Sequence, residues 1–254
     1  MIKNSSNIAV IILAAGLGKR MKSDKAKVLH EVLGRPMIRY VVETARKIAG
    51  KEVIVVVGHQ AQKVMDAVSI DAKVLFAHQD KQLGTGHAVR CALAQIAEYV
   101  NEVVILCGDV PMLRAETVQR LLDDHCAAKR DLSLLAVTVE NPKGYGRVLV
   151  DENCRLIRIV EEADASPEQK KIRTVNAGIY CVTKKFLTDS LQQLRPDNVQ
   201  NEFYLTDIIE IGYRQQYAVG VMFSDDGDEV MGVNSYPDLL AVEKIMRLRK
   251  PKTS

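Results

Sequence analysis

Apolar residues in this chain come in short unbroken runs separated by glycines and polar residues. Val/Ile-rich runs of this length, without alternation, read as strands buried on both faces. Residues 8–13 are the first. A basic loop follows, and Arg35-Pro36 starts a helix through about residue 48, with Met37, Val41, Ala45 and Ile48 on one face. Residues 53–57 are the second strand and 60–68 a short helix. Residues 73–77 are the third strand, and the loop after it opens a helix to about residue 97. Residues 103–107 are the fourth strand, 115–128 a helix and 132–139 another strand. Repeated strand, loop and helix predict a mainly parallel sheet covered on both faces.

Past about residue 140 the alternation loosens. A strand pair is expected around 148–150 and 156–161, an exposed segment over 161–171, and a strand over 175–182. Residues 184–194 and 203–215 read as helices, 218–223 as a strand, and 236–249 as a final amphipathic helix. A softer, substrate-facing lobe without its own core is expected here. Residues 1–249 form the domain and 250–254 a basic tail that frays.

Net charge is only +3, which gives no global case for nucleic-acid binding, and the absence of Trp weakens a base-stacking one. The charge is local instead: Lys19, Arg20, Lys22, Lys25 and Lys27 face one acid, Asp24. The cysteines, Cys91, Cys107, Cys126, Cys154 and Cys181, are too scattered for a zinc pair or a redox motif. They fit reduced thiols in a cytoplasmic protein. The polar start and the glycine-broken apolar run after it read as neither a secretory signal nor a membrane span.

The basic cluster belongs to the stretch Leu13-Ala14-Ala15-Gly16-Leu17-Gly18-Lys19-Arg20-Met21. Small residues let a ligand approach the backbone, and exposed N–H groups beside cations suit a polyphosphate. It is not a P-loop, because Leu13 stands where the first Gly is needed and Arg20 where Ser or Thr is. It is not a dinucleotide fingerprint, because Met21 replaces the third Gly and no acid closes the second strand. A plain strand-to-helix turn with a solvated basic face is the competing reading.

In an open parallel sheet, ligands gather at the carboxyl ends of the strands. Asp109, after the fourth strand, is either a turn or helix cap or a hard oxygen ligand for Mg²⁺. Asn234 is either part of a helix start or a second oxygen donor. The amide of Gln79 has the donor and acceptor edges that match a pyrimidine imide, and Gly84-Thr85-Gly86 permits close approach to a ring. Glu161 and Asn176 are either ordinary strand-end residues or holders of sugar hydroxyls. No histidine-based or Ser/His/Asp chemistry follows from the spacing.

Taken together, Leu13 to Met21, Lys27-Val-Leu-His30, Gln82-Leu-Gly-Thr-Gly-His-Ala88, Gly108-Asp-Val-Pro111, Gly144-Tyr-Gly-Arg147, Glu202-Phe-Tyr-Leu-Thr-Asp-Ile-Ile209 and Gly232-Val-Asn234 resemble the sugar-nucleotide pyrophosphorylases, a nucleotidyltransferase family. The nearest branch is the uridylyltransferase domain of the bacterial bifunctional enzyme that makes UDP-N-acetylglucosamine, a cell-wall precursor. The resemblance implies a Rossmann-like three-layer α/β fold with a mostly parallel, mixed central sheet and a small sugar-binding lobe. It implies that Leu13, Ala14, Ala15, Gly16, Gln79, Gly84 and Thr85 bind uridine, and that Arg20 and Lys27 hold the UTP phosphates and the developing charge. It further implies Asp109 and Asn234 as ligands of Mg²⁺, and Gly146, Glu161, Asn176, Tyr204 and Thr206 as the sugar-phosphate site. The implied substrates are UTP and N-acetylglucosamine-1-phosphate. Another sugar-1-phosphate or dTTP, or a sugar-nucleotide-binding protein without turnover, are the alternatives.

The chain departs from that family at Lys19 (usually Thr or Ser), Ala26 (Pro), Cys107 (aromatic), Ala163 (Lys) and Asn201 (Gly). The β-helix that carries the acetyltransferase half of the resembled enzyme has no counterpart in these residues. That helix builds most of the family's trimer, so oligomeric state is left open.

Overall fold

The structure is a computed structural model and describes residues 7–153 and 155–249. The tail expected over 250–254, the first six residues, Cys154 and the side chain of Lys19 lie outside what it describes. In chain order the elements are β1 (Ile8–Leu13), β2 (Glu31–Val32), β3 (Arg35–Pro36), α1 (Met37–Ala49), β4 (Val53–Val57), α2 (Ala61–Ser69), β5 (Leu75–His78), α3 (Thr85–Ala92), β6 (Glu102–Cys107), α4 (Ala115–Ala127) and β7 (Leu132–Thr138). Then come β8 (Arg147–Val150), β9 (Leu156–Val160), β10 (Thr174–Thr183), α5 (Lys184–Leu191), α6 (Asp207–Arg214), β11 (Val219–Phe223) and α7 (Tyr236–Arg249).

The central sheet has the order β11-β7-β10-β6-β1-β4-β5. Every neighbouring pair along it is parallel except those of β10, which runs antiparallel to both β6 and β7. The β8–β9 ribbon hangs off β10 through the pairing of Arg147 with Val175. The strands carry apolar residues on both faces because both faces are covered. From β1, Ile8, Val10 and Ile12 enter one core with α1, α2 and α4, whereas Ala9 and Ile11 enter the other with α3, α5 and α6. In β4 the split repeats, with Val53, Val55 and Val57 on the first side and Ile54 and Val56 on the second. The result is the expected three-layer, mostly parallel α/β arrangement.

Several local expectations shift for physical reasons. Pro36 does not open α1. Its backbone is extended (ψ 135°) and it pairs with Glu31, so the helix begins at Met37. Residues 203–206 are not helical. Their backbone pairs with the 83–86 loop instead: the Phe203 N–H donates to Leu83 O at 2.8 Å, and the Gly86 N–H to Phe203 O at 2.8 Å. Helix α3 stops at Ala92 and passes into a 3-10 turn over Leu93–Gln95. Helix α7 is only weakly amphipathic. It buries Leu239 and Val242 but leaves Leu240 50% and Leu248 76% exposed. Strands β10 and β11 join the main sheet, so the chain after residue 140 supplies central pairing as well as the β8–β9 ribbon.

A third, smaller core positions the end of the chain. Val233 packs with Val32, Met37, Met112, Leu239 and Val242, between β2, α7 and the segment after β6. The approach to it is tied by Glu229, 0% exposed, whose carboxylate accepts from the Arg114 backbone N–H (3.0 Å) and from its guanidinium (2.6 and 3.1 Å). Removing the partner of a buried charge costs several kcal/mol, less where the partner is partly exposed, as Arg114 is. Arg114→Ala is therefore expected to lower unfolding free energy by about 2–3 kcal/mol, measured by urea denaturation, whereas Arg114→Lys should lose less.

Candidate functional site

Strands β1 and β6 end side by side, and their exits carry the charged residues. The Gly108 N–H donates to Leu13 O at 2.9 Å, stapling the two exits together. The segment Lys27–Leu29 forms a 3-10 turn whose Val28 and Leu29 are buried, which fixes the Lys27 backbone. Gly18, at φ +63°, presses on it, since a Cβ there would lie 2.7 Å from the Lys27 Cβ. The Val233 N–H donates to Asp109 O at 2.9 Å, bringing the 232–234 segment to the end of β6. Asp238 accepts from the N–H groups of Asn234 (3.0 Å) and Ser235 (2.8 Å), capping the approach to α7.

Four residues separated by up to 214 positions then meet. Lys27 Nζ donates to Asp109 Oδ2 and, at 3.1 Å, to Asn234 Oδ1. Arg20 Nη2 donates to the same Asn234 Oδ1 at 2.8 Å. Thus the expected metal ligands and the expected phosphate-binding cations share one cluster. Two hard oxygens, a carboxylate and an amide carbonyl, converge on one cationic nitrogen. With phosphate oxygens and water, that donor set suits Mg²⁺, and the residues fit it. Among the described residues, the group of three side chains close enough to hold a metal is a different one, Glu102, His125 and Cys181. It is at the opposite end of β6 from Asp109, and His125 is satisfied there by Ser133 (3.0 Å) and Glu102 (3.1 Å).

The expected nucleotide residues lie beside this cluster. Ala14 and Ala15 are buried and Gly16 is exposed. The Ala14 N–H donates to Val56 O, and Ala15 O accepts from the His59 N–H. Gln79 is 3% exposed, with its amide nitrogen 3.0 Å from Gly84 O and 3.0 Å from His87 Nδ1. Burial and the nearby Arg90 hold His87 below the usual imidazole range, so its ring is neutral and can accept. Because the Gln79 amide nitrogen is spent inside the loop, its carbonyl oxygen is the edge left for a base. The Thr85 hydroxyl accepts from the Leu205 N–H at 3.0 Å, tying the loop to the segment that leads into α6. Gly84, at φ +106°, leaves no room for a Cβ, which would fall 2.6 Å from Phe203 O.

The expected sugar residues form a third group. Glu161 Oε1 accepts from Thr206 Oγ1 at 3.2 Å, and a Cβ on Gly146 would lie 3.3 Å from Glu161 Oε2. The Asn176 N–H donates to Gly146 O, and its side chain bridges Tyr180 Oη (2.7 Å) and the Gly178 N–H (2.7 Å). Burial pushes the Glu161 carboxyl up, and the Thr206 hydrogen bond opposes that. Tyr204 is buried, and its hydroxyl donates to Gln200 at 2.8 Å rather than to Glu161.

Residues missed by sequence reasoning join these groups. Burial and then the carboxylate of Asp238 raise the Tyr145 phenol, against a backbone hydrogen bond from Gly232 that lowers it. Gln82 donates to Gln79 O at 3.2 Å and packs against Gly58, itself against Ala15. Gly178 (φ +73°) makes the β10 bulge and accepts a hydrogen bond from Cys107 Sγ. Tyr145 and Gln82 lie inside quoted motifs, and that was the available signal; Gly178 has no local one. At the departures, Asn201 has φ +52°, a left-handed backbone that Gly adopts freely and Asn tolerates. The Cys107 thiol is pushed up to about 12, by burial first and then by Asp109, so it is a packed neutral group.

A nucleotide-handling α/β domain is what this sheet and its rim of glycine loop, cations and hard oxygens define. The profile of the family described as MobA-like NTP transferase domain matches residues 10–198, and the chain belongs to that family. It is 46% identical over 243 residues to the "Bifunctional protein GlmU" of Pelobacter propionicus, covering 96% of this chain and 53% of that protein. It is 44% identical over 241 residues to the protein of the same name from Trichlorobacter lovleyi, covering 95% and 52%. The one from Desulfotalea psychrophila is 40% identical over 249 residues, covering 98% and 73%. The chain spans about half the length of the first two. A crystal structure from Bacillus anthracis, described as a glucose-1-phosphate thymidylyltransferase in complex with a sucrose, superimposes with a TM-score of 0.72 at 19% identity, covering 94% of this chain and 95% of that one. It shares the fold. No helix among the described residues is long and apolar enough to cross a membrane.

Asp207 opens α6 next to Thr206. Its carboxyl is pushed up to about 6 by burial and by Glu210 and Asp164. A carboxyl raised in the folded state binds its proton more tightly there than in the unfolded chain, so stability falls as pH rises from about 4 to about 6. Asp207→Asn is expected to raise the melting temperature by a few degrees at pH 7 and by almost nothing at pH 4. Thermal melts at the two pH values check this.

Proposed function

We propose that this protein is a Mg²⁺-dependent sugar-1-phosphate uridylyltransferase that joins UTP and N-acetylglucosamine-1-phosphate into UDP-N-acetylglucosamine and pyrophosphate. The observation that carries the reading is the convergence of Asp109, Asn234, Lys27 and Arg20 at the joined ends of β1 and β6. It is supported by 40–46% identity to proteins named for GlmU over nearly the whole chain.

In this reaction an oxygen of the sugar phosphate attacks the α-phosphorus of UTP in line, and pyrophosphate leaves. A phosphate monoester is already ionised at neutral pH, so no strong general base is required. The barrier is the approach of two anions and their alignment. The backbone of Leu13, Ala14, Ala15, Gly16 and Gly84 gives close approach to the uridine, with Thr85 holding the Gly84 loop to the segment before α6. The Gln79 carbonyl oxygen is the acceptor for the uracil imide N–H. Arg20 and Lys27 hold the phosphates and offset the charge that develops at the α-phosphorus. Asp109 and Asn234 would hold Mg²⁺, which supplies charge neutralisation on the triphosphate. On the lobe side, Gly146, Glu161, Asn176 and Thr206 orient the sugar phosphate, and Tyr204 supports them.

One observation favours testing a second substrate pair. Cys107, a small side chain, stands between β1 and Gly178, where the resembled family carries an aromatic. Pyrophosphate release is measured with UTP and dTTP against N-acetylglucosamine-1-phosphate and glucose-1-phosphate. The fastest turnover is expected with UTP and the N-acetylated sugar. Preference for another pair reassigns the substrate, and binding without turnover reassigns the protein to a sugar-nucleotide-binding role.

Arg20→Ala is expected to lower kcat by about 10²–10³ at saturating substrates, as when a donor to a developing anion is lost. Near-normal kcat in the folded variant would remove Arg20 from the chemistry. Asp109→Ala should abolish Mg²⁺-dependent turnover, and retained metal dependence would remove Asp109 from the metal site.

A further inference from the structure

Lys27 Nζ occupies the position between Asp109 Oδ2 and Asn234 Oδ1 where a divalent ion bound by both would be held. Asn234 Oδ1 also accepts from Arg20 Nη2. The two cations that should hold phosphate are thus parked on the two oxygens that should hold metal. An ammonium and a dication cannot both sit between those two oxygens, because they would overlap and each would face the other's charge.

The oxygens are the fixed part. The Asp109 carbonyl is bonded to the Val233 N–H, the Asn234 N–H is held by Asp238, and Val233 is buried in the third core. The Lys27 backbone is also fixed, by its buried turn and by Gly18 against its Cβ. What can move is the flexible lysine stem. Two cations against one carboxylate also leave the cluster positive, which attracts a polyphosphate and repels a bare dication.

We infer that Lys27 is an internal competitor for the divalent metal, so that the ion enters only with a triphosphate, whose oxygens draw Lys27 and Arg20 off Asp109 and Asn234. The lysine then has two roles. It balances Asp109 while the site is empty of ligand, and it moves to phosphate when the metal arrives. Assembly is ordered, with metal and nucleotide together, and neither bare ion nor sugar phosphate organises the site alone. The inference rests on the metal ligands assigned under the proposed function.

The test uses Mn²⁺ alone, without nucleotide, with free ion counted by electron paramagnetic resonance. Lys27→Met should bind Mn²⁺ roughly tenfold or more tighter than the unaltered protein, the scale of one charged hydrogen bond removed from competition. Lys27→Arg, which keeps the charge, should stay weak. Mn²⁺ should raise the melting temperature of Lys27→Met and not that of the unaltered protein. Lys27→Met combined with Asp109→Asn should lose the gained affinity. Equal Mn²⁺ affinity, or no binding, in the unaltered protein and Lys27→Met overturns the competition. If Mn²⁺ binding is present there and lost in Asp109→Asn, the metal ligands still stand. A gain in Lys27→Met that survives Asp109→Asn puts the ion elsewhere and overturns the metal site as well.

Discussion

The structure is organised around an unequal charge pairing at the end of the central sheet. Two basic side chains meet at a single amide oxygen and one of them also at a carboxylate, with Lys27 donating to Asp109 and both Lys27 and Arg20 donating to Asn234. Such a cluster would spread by repulsion if its backbones were free. Each one is anchored: Lys27 by a turn with a buried base, Asp109 by the exit of β6, and Asn234 by the apolar anchor of Val233 and the cap from Asp238. Burial of aliphatic side chains thus does the positioning, and the surplus positive charge is left for a ligand.

The other two groups extend that centre in opposite directions along the sheet edge. Toward β4 and β5, the Gln79 loop closes on itself and on residues 203–205. Toward β10, a bulge between Asn176 and Ile179 turns Asn176 to Tyr180 and the Gly178 N–H. Cys107 links the two sides, since it ends β6 and donates to Gly178 O. A larger side chain there would have to displace the bulge, because Gly178 and the Cys107 sulfur are already in contact.

Much of the candidate site could be named from the residues. Arg20, Lys27 and Asp109 follow apolar runs of strand length, and the ends of such strands in a parallel sheet converge by topology. Asn234 and the sugar-side residues were legible only through resemblance, because strand-end Asn and Glu look ordinary one by one. The Gln79 amide was expected to offer both its edges to a base, and its nitrogen bonds Gly84 O, while the Thr85 hydroxyl accepts from the Leu205 N–H. No local pattern carries that, because each partner is chosen by where α6 and the loop end up. Residues 203–206 read as a continuation of α6, but the Phe203 N–H and C=O bond the loop that opens α3.

The sequence by itself determined the layers. Apolar runs such as those of β1 and β4 divide between two cores residue by residue, and that division follows from a strand's period of two and from burial on both faces. Only the tertiary structure decided that β10, from the second half, would slot antiparallel between β6 and β7. It alone set which oxygen Lys27 would find. Strand order and side-chain partners are settled by contacts between residues far apart in the chain, and no local stretch contains both members of such a pair.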